Sequence, residues 1–317
     1  MTNLDRTHRR PDEHAPETTA GTAAASGFDL VRQVAVAVSA VLAVIGAFIG
    51  SGAAGGQEVQ NASNGALAAD ATLVAPGGGA FSIWSVIYLG LLVYAVWQFL
   101  PAQRNAERHR RLGWWIAASM LLNAAWILSV QFDLLWLSVP VIAALLVVLV
   151  VAFRRSLILR PSGTIDAVVT DGTIGLYLGW VSVATIANVA AVLVAAGFDG
   201  WGLPAETWAV GLVAVAGLLG IALAVWDHGR IAPTLSLGWG IAWIAVARLT
   251  DEPSSTVTGV TAIIAVVAVV LVTLAMRIVA IRHAQGGRDR RGRSIRTEAP
   301  RSPEAAGASA RADHGRV

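Results

Sequence analysis

Eight apolar stretches of about 20 residues each, the length a helix needs to cross the hydrocarbon of a bilayer, leave this chain little choice of fold. They fall at 30–50, 80–100, 113–130, 134–153, 172–196, 207–226, 233–249 and 257–281, and none contains an acidic residue. Strands of a membrane barrel would be about ten residues long with alternating polarity, a pattern absent here. The expected fold is therefore all-α, a polytopic membrane helix bundle of eight spans.

Charge patterning supports the same count. Only 14% of the 317 residues are charged, and mean hydropathy is +0.64. A soluble chain carries about 25% charged residues mixed through its surface, whereas here the charges gather in the tails and between the runs. All 23 basic residues are arginine. Arg6, Arg9, Arg10 and Arg32 precede or open the first run, and Arg104, Arg108, Arg110 and Arg111 join the second to the third. Arg154, Arg155 and Arg160 follow the fourth, Arg230 follows the sixth, and Arg277 and Arg282 lead into the C-terminal tail. The alternate connections, 51–79, 131–133, 197–206 and 250–256, contain no basic residue. By the positive-inside rule the arginine side, with both termini, is expected in the cytoplasm of a cell whose inner (plasma) membrane holds the protein.

This use of arginine also accounts for the sequence pI near 10.1 without nucleic acid as a partner. The expected partner is membrane lipid. The arginines from Arg288 to Arg316 either hold anionic head groups or serve only to fix topology in a solvated tail. With a long, partly acidic polar stretch before it, the first run reads as an anchor and not a cleaved signal.

Enzyme motifs do not emerge. The chain has no cysteine, and its six histidines, His8, His14, His109, His228, His283 and His314, fall in tails or connections without metal-ligand spacing. No phosphate-binding glycine loop is present, and no cofactor is called for. Within the runs the one ionisable group away from the arginine side is Arg248, beside Asp251 and Glu252, which reads as a snorkelling arginine in a boundary ion pair.

What the runs do hold is tryptophan, twelve in all. Trp97, Trp114, Trp115, Trp136, Trp201, Trp208 and Trp226 lie near predicted helix ends, as an aromatic belt requires. Trp84, Trp126, Trp180, Trp239 and Trp243 lie deeper. At about 100° per residue, Tyr177, Trp180, Ala184 and Asn188 share an arc of about 80° on the fifth helix. Trp84 and Tyr88 share a face of the second helix, as Asn123 and Trp126 do on the third. An amide is costly against lipid, so the stripe on the fifth helix should face inward. Two readings follow from spacing: helix packing through Gly179 and Ala184 with an interhelical bond from Asn188, or the wall of a pocket for a flat apolar ligand. The long connection 51–79, ending Pro76-Gly77-Gly78-Gly79, is either a lid or disordered.

Three segments carry a family resemblance. Phe81-Ser82-Ile83-Trp84-Ser85-Val86-Ile87-Tyr88 resembles the F/W-x-x-W-x-x-L-Y of the translocator protein family, the tryptophan-rich sensory proteins (TspO/MBR). Leu122-Asn123-Ala124-Ala125-Trp126 is similar to its L-N-x-x-W, and Tyr177 to Asn188 to its Y-L-x-W-x-x-x-A-T-x-x-N. The resemblance covers about residues 30–196, the five helices of that family's fold. It implies a pocket under the first loop that binds tetrapyrroles such as protoporphyrin, or sterol-like ligands, with Trp84, Tyr88, Asn123, Trp126, Trp180, Ala184 and Asn188 lining it. Trp136, at the start of the fourth helix, is a further match. It also implies a homodimer.

The chain departs from the family in its loop, which lacks a W-x-P-P-x-W stretch, and in its three additional helices. The expected organisation is a disordered N-tail at 1–28, a five-helix core at 29–196, three further spans at 197–282 and a disordered arginine-rich tail at 283–317. The expected function is binding, sensing or translocation of the ligand. The alternative is a facilitative permease for a neutral solute, suggested by the lack of charge at mid-membrane, and an enzyme acting on porphyrins has least support.

Overall fold

Backbone amides in hydrocarbon must bond to one another, and long uninterrupted helices achieve this within one segment. The computed structural model describes residues 27–298 except 56, with side chains to residue 286. Most of both expected tails lies outside these residues. Among the described residues there are eight membrane-spanning helices: α1 Gly27–Gly50, α2 Gly78–Trp97, α3 Glu107–Gln131, α4 Leu135–Ile158, α5 Thr164–Ala195, α6 Ala205–Trp226, α7 Ile231–Thr250 and α8 Thr256–Gly286. The helix of α8 continues to Glu298.

The helices form two packed groups. α3 lies between α1 and α4, α4 lies against α5, and α2 closes the circuit by touching α1 and α5. The result is a five-helix ring in the spatial order α1, α3, α4, α5, α2. α7 lies along α5, and α8 lies against both α7 and α6. Small residues set these approaches, as expected where lipid supplies no competing hydrophobic drive. On α1, Val36, Ala40, Ala43, Gly46 and Gly50 recur every three or four positions on the buried face, while Val34, Val38, Val41 and Ile45 face outward. Between α5 and α7 the fit is tighter. A Cβ at Gly175 would lie 3.0 Å from Ala232 Cβ, and one at Gly179 only 2.1 Å from the Pro233 carbonyl oxygen. The i, i+4 glycines thus let the two backbones meet.

Two spans begin earlier than the apolar runs suggest. α3 starts at Glu107 and α5 at Thr164, so Arg108, His109, Asp166 and Asp171 lie in helices and are buried. The expectation that such groups stay in connections is corrected by their mutual neutralisation. Asp171 of α5 accepts a hydrogen bond from Arg108 Nη2 of α3 and another from Arg230 Nη1, 3.0 Å away, just before α7. Arg108 Nε lies 3.4 Å from Asp166 Oδ2, and Thr170 Oγ1 donates to Asp166 Oδ1 at 2.8 Å. The turn carrying Thr170 and Asp171, Ala167–Gly172, is π-helical, a widened turn of a kind often found at functional positions. His109, fully buried, places Nε2 3.1 Å from Gln103 Oε1. Asp29 of α1 takes a bidentate pair of bonds from Arg110, at 2.8 and 2.7 Å. The arginine end of the ring is therefore closed by an ionic cluster joining α1, α3, α5 and the approach to α7.

Candidate functional site

At the opposite end of the ring, aromatic side chains from α2 and α5 meet. Trp84 stacks on Tyr88 with centroids 5.3 Å apart, because i, i+4 residues sit one above the other on a helix. Trp84 also meets Tyr177 and Trp180 edge-on at 5.8 and 6.1 Å, and Phe81 meets Trp180 edge-on at 6.0 Å. These are the offset and edge-to-face arrangements that the ring quadrupole favours.

Beside this cluster is a partly open cavity of about 50 Å³. Phe81 and Trp84 of α2, Asn123 and Trp126 of α3, Ile142 and Leu145 of α4, and Trp180, Ala184 and Asn188 of α5 wall it. Ala66, Leu67, Thr72, Ala75 and Pro76 of the first loop lie over it. A second chamber of about 390 Å³ adjoins it between α1, α2 and the loop, with Phe81, Trp84 and Trp126 as the shared partition. Tyr88, Ser85, Ser51, Gln60 and Glu58 give the chamber a partly polar wall. The smaller cavity has room for a few waters, since about 10–15 Å³ of cavity space holds one. The chamber reaches the size of a small-molecule site, about 300–1,000 Å³.

The two amides behave differently. Asn188 Nδ2 donates to Ser138 Oγ of α4 at 2.9 Å, and its Oδ1 accepts from Trp126 Nε1 of α3 at 3.2 Å. Asn188 therefore joins three helices, as the packing reading expects, and its side chain also lines the cavity. Asn123 Nδ2 donates to Tyr88 Oη at 2.6 Å, leaving its buried Oδ1 without a partner among the described residues. The buried indole N–H of Trp180 also lacks a partner among them. A buried polar atom left unpaired is uncommon enough to need a reason.

Of the residues singled out from sequence, Trp84, Asn123, Trp126, Trp180, Ala184 and Asn188 line the cavity and Tyr88 lines the chamber. Tyr177 stands behind Trp84, its hydroxyl donating to the Ser119 carbonyl at 3.2 Å. Trp136 does not join them. It is 67% exposed, on the outward side of α4. Sequence reasoning did not select Phe81 as a site residue, although it opens the segment similar to the family's. It also missed Ser138, Ile142 and Leu145, which look like ordinary apolar-run residues.

The sequence model of a protein family described as TSPO-like protein matches residues 35–276. The match runs through α6 and α7 and into α8, so the helices beyond the five-helix ring lie within it. No curated protein and no solved structure matches the chain.

Proposed function

The chain belongs to the TSPO-like protein family, and on that premise we propose that this multi-pass membrane protein binds a flat, mostly apolar ligand in the aromatic chamber within its five-helix ring. A tetrapyrrole of the protoporphyrin type is the first candidate. One observation carries the reading: tryptophans of α2, α3 and α5 converge with Asn123 on two adjoining, partly open pockets beneath a loop. Aromatic faces suit a flat ring system, and the unpaired Asn123 oxygen and Trp180 N–H suit a ligand offering one donor and one acceptor. The cavity and chamber together supply the room, divided only by the Phe81, Trp84 and Trp126 side chains. In this reading the arginine side faces the cytoplasm and the loop side faces outward across the inner membrane. The role is binding, with sensing or passage of the ligand as its consequence.

A permease for a neutral solute is the lesser reading, since a path along the ring would have to breach the cluster around Arg108, Asp166 and Asp171. Liposome flux assays with small neutral solutes separate the two, because only the permease would carry them. The binding proposal is tested by titrating the purified protein with protoporphyrin while following tryptophan emission. Saturable quenching is expected, weakened about tenfold or more in Trp84→Ala and Trp180→Ala, as for buried aromatic anchors. Quenching that survives unchanged in both variants would overturn the site.

A further inference from the structure

The loop between α1 and α2 has two working faces. Thr72, Ala75 and Pro76 look into the ring cavity, while Val74 is buried in the second hydrophobic core, with residues of α6, α7 and α8, and Leu73 packs against that core. The cover of the proposed ligand site is therefore also a surface component of the three-helix group.

α7 grips this cover at three heights. Arg248, which is 0% exposed, donates from Nη2 to the Ala69 carbonyl and from Nη1 to the Pro253 carbonyl, both at 2.6 Å. This corrects the snorkelling reading, since the guanidinium is turned inward to satisfy carbonyls of two loops. One turn and more away, the Trp243 carbonyl accepts from the Gly77 N–H at 3.2 Å. The Trp243 ring lies so close to Gly79 that a Cβ there would come within 2.2 Å of it. At the start of α2, the Ala80 carbonyl accepts from Trp239 Nε1 at 3.0 Å. The Pro-Gly-Gly-Gly run thus has a steric role: Gly79 admits the indole that a side chain would exclude.

We propose that α7 is the latch of the cavity cover, holding residues 69–80 shut through Arg248, Trp243 and Trp239 and so controlling access of ligand to the ring. The claim about access rests on the ligand reading above, whereas the claim that α7 holds the cover does not. These three are positioning residues: they act through the loop, and none of them lines the cavity.

The test is hydrogen exchange of the full chain in lipid nanodiscs without ligand, followed by stopped-flow quenching with protoporphyrin. Trp243→Ala and Gly79→Ala are each expected to speed exchange of the amides at 71–80 by about tenfold or more while those of α3 stay as in the parent. The double variant should exchange no faster than Trp243→Ala, because the added methyl then meets no ring. Trp239→Phe, which keeps the ring and removes the N–H, gives a milder release in the same segment. Protoporphyrin association should speed up in parallel with exchange. Unchanged exchange at 71–80 in a folded Trp243→Ala protein would overturn the latch. So would faster exchange with an unaltered association rate. If the parent protein shows no quenching at all, the ligand reading falls, and the exchange measurements still decide whether α7 holds the cover.

Discussion

Replacing Gly179 by Ala adds one methyl where α5 touches α7. The new Cβ would lie 2.1 Å from the Pro233 carbonyl oxygen and 2.3 Å from Ser236 Oγ. Carbon and carbonyl oxygen need about 3.3 Å, so the two helices must part locally by about 1 Å. The serine hydroxyl can rotate away, but the backbone oxygen cannot. Overpacking of this kind costs about 1–3 kcal/mol, and the rigid partner places this case at about 2–3 kcal/mol. Alanine returns up to about 1 kcal/mol of helix propensity. Gly211→Ala is the matched control, since nothing among the described residues lies within 4 Å of its added Cβ. It keeps the propensity gain without the clash. Reversible unfolding in mixed micelles, followed by tryptophan emission, should place Gly179→Ala about 2–3 kcal/mol below Gly211→Ala. Two variants within about 0.5 kcal/mol of each other would refute the account of the α5–α7 contact.

Three further outcomes follow from other parts of the molecule. Asp171→Asn leaves Arg108 and Arg230 facing each other without their shared carboxylate, and unfolding should register a loss of about 3–5 kcal/mol; a loss under about 1 kcal/mol would mean that the cluster is solvated. Asp227 lies in the connection between α6 and α7, where burial pushes its carboxyl up to about 6 and the N–H groups of Arg230 and Gly229 pull it partly back. The folded state then holds the proton more tightly than the unfolded one, so this contribution is full below about pH 4 and is lost as pH rises through about 6; Asp227→Asn should flatten that part of the stability profile, and an identical profile would contradict the assignment. Trp136→Ala should leave protoporphyrin quenching at its parental affinity, because that indole stands on the outward side of α4, 67% exposed.

The eight spans were legible because apolar runs and the side-to-side alternation of arginine are independent signals of one constraint, the bilayer. The beginnings of α3 and α5 were not. Arg108 and Asp171 are 63 positions apart, and each alone reads as the polar end of a span; only their pairing lets the helices run on through both. The inward stripe on α5 was readable from the period of the helix, and so were the shared faces of α2 and α3. Trp136 joined the candidate residues through the family resemblance, with no helical period to orient it, and its outward place suits the aromatic belt that its position at a helix end also suggested. Long-range partners were equally silent. Nothing local to Ser138 marks it as the acceptor for Asn188, and nothing in Trp243 or Arg248 announces a loop more than 160 residues earlier. Pro76-Gly77-Gly78-Gly79 was visible as a departure from the family's loop, but its reason, the Trp243 ring against Gly79, exists only after folding.

The claim at the centre of this account is that the five-helix ring offers a guest molecule an interior lined by α2, α3 and α5. An experimental structure of the protein in lipid, saturated with protoporphyrin, tests it most directly. The account predicts density for the macrocycle between α1 and α2 and beneath residues 66–76, in contact with Phe81, Trp84 and Trp126, the side chains that divide the two spaces. Density confined to the outer surface, or an interior still filled by the same side chains at full occupancy of the ligand, would contradict it.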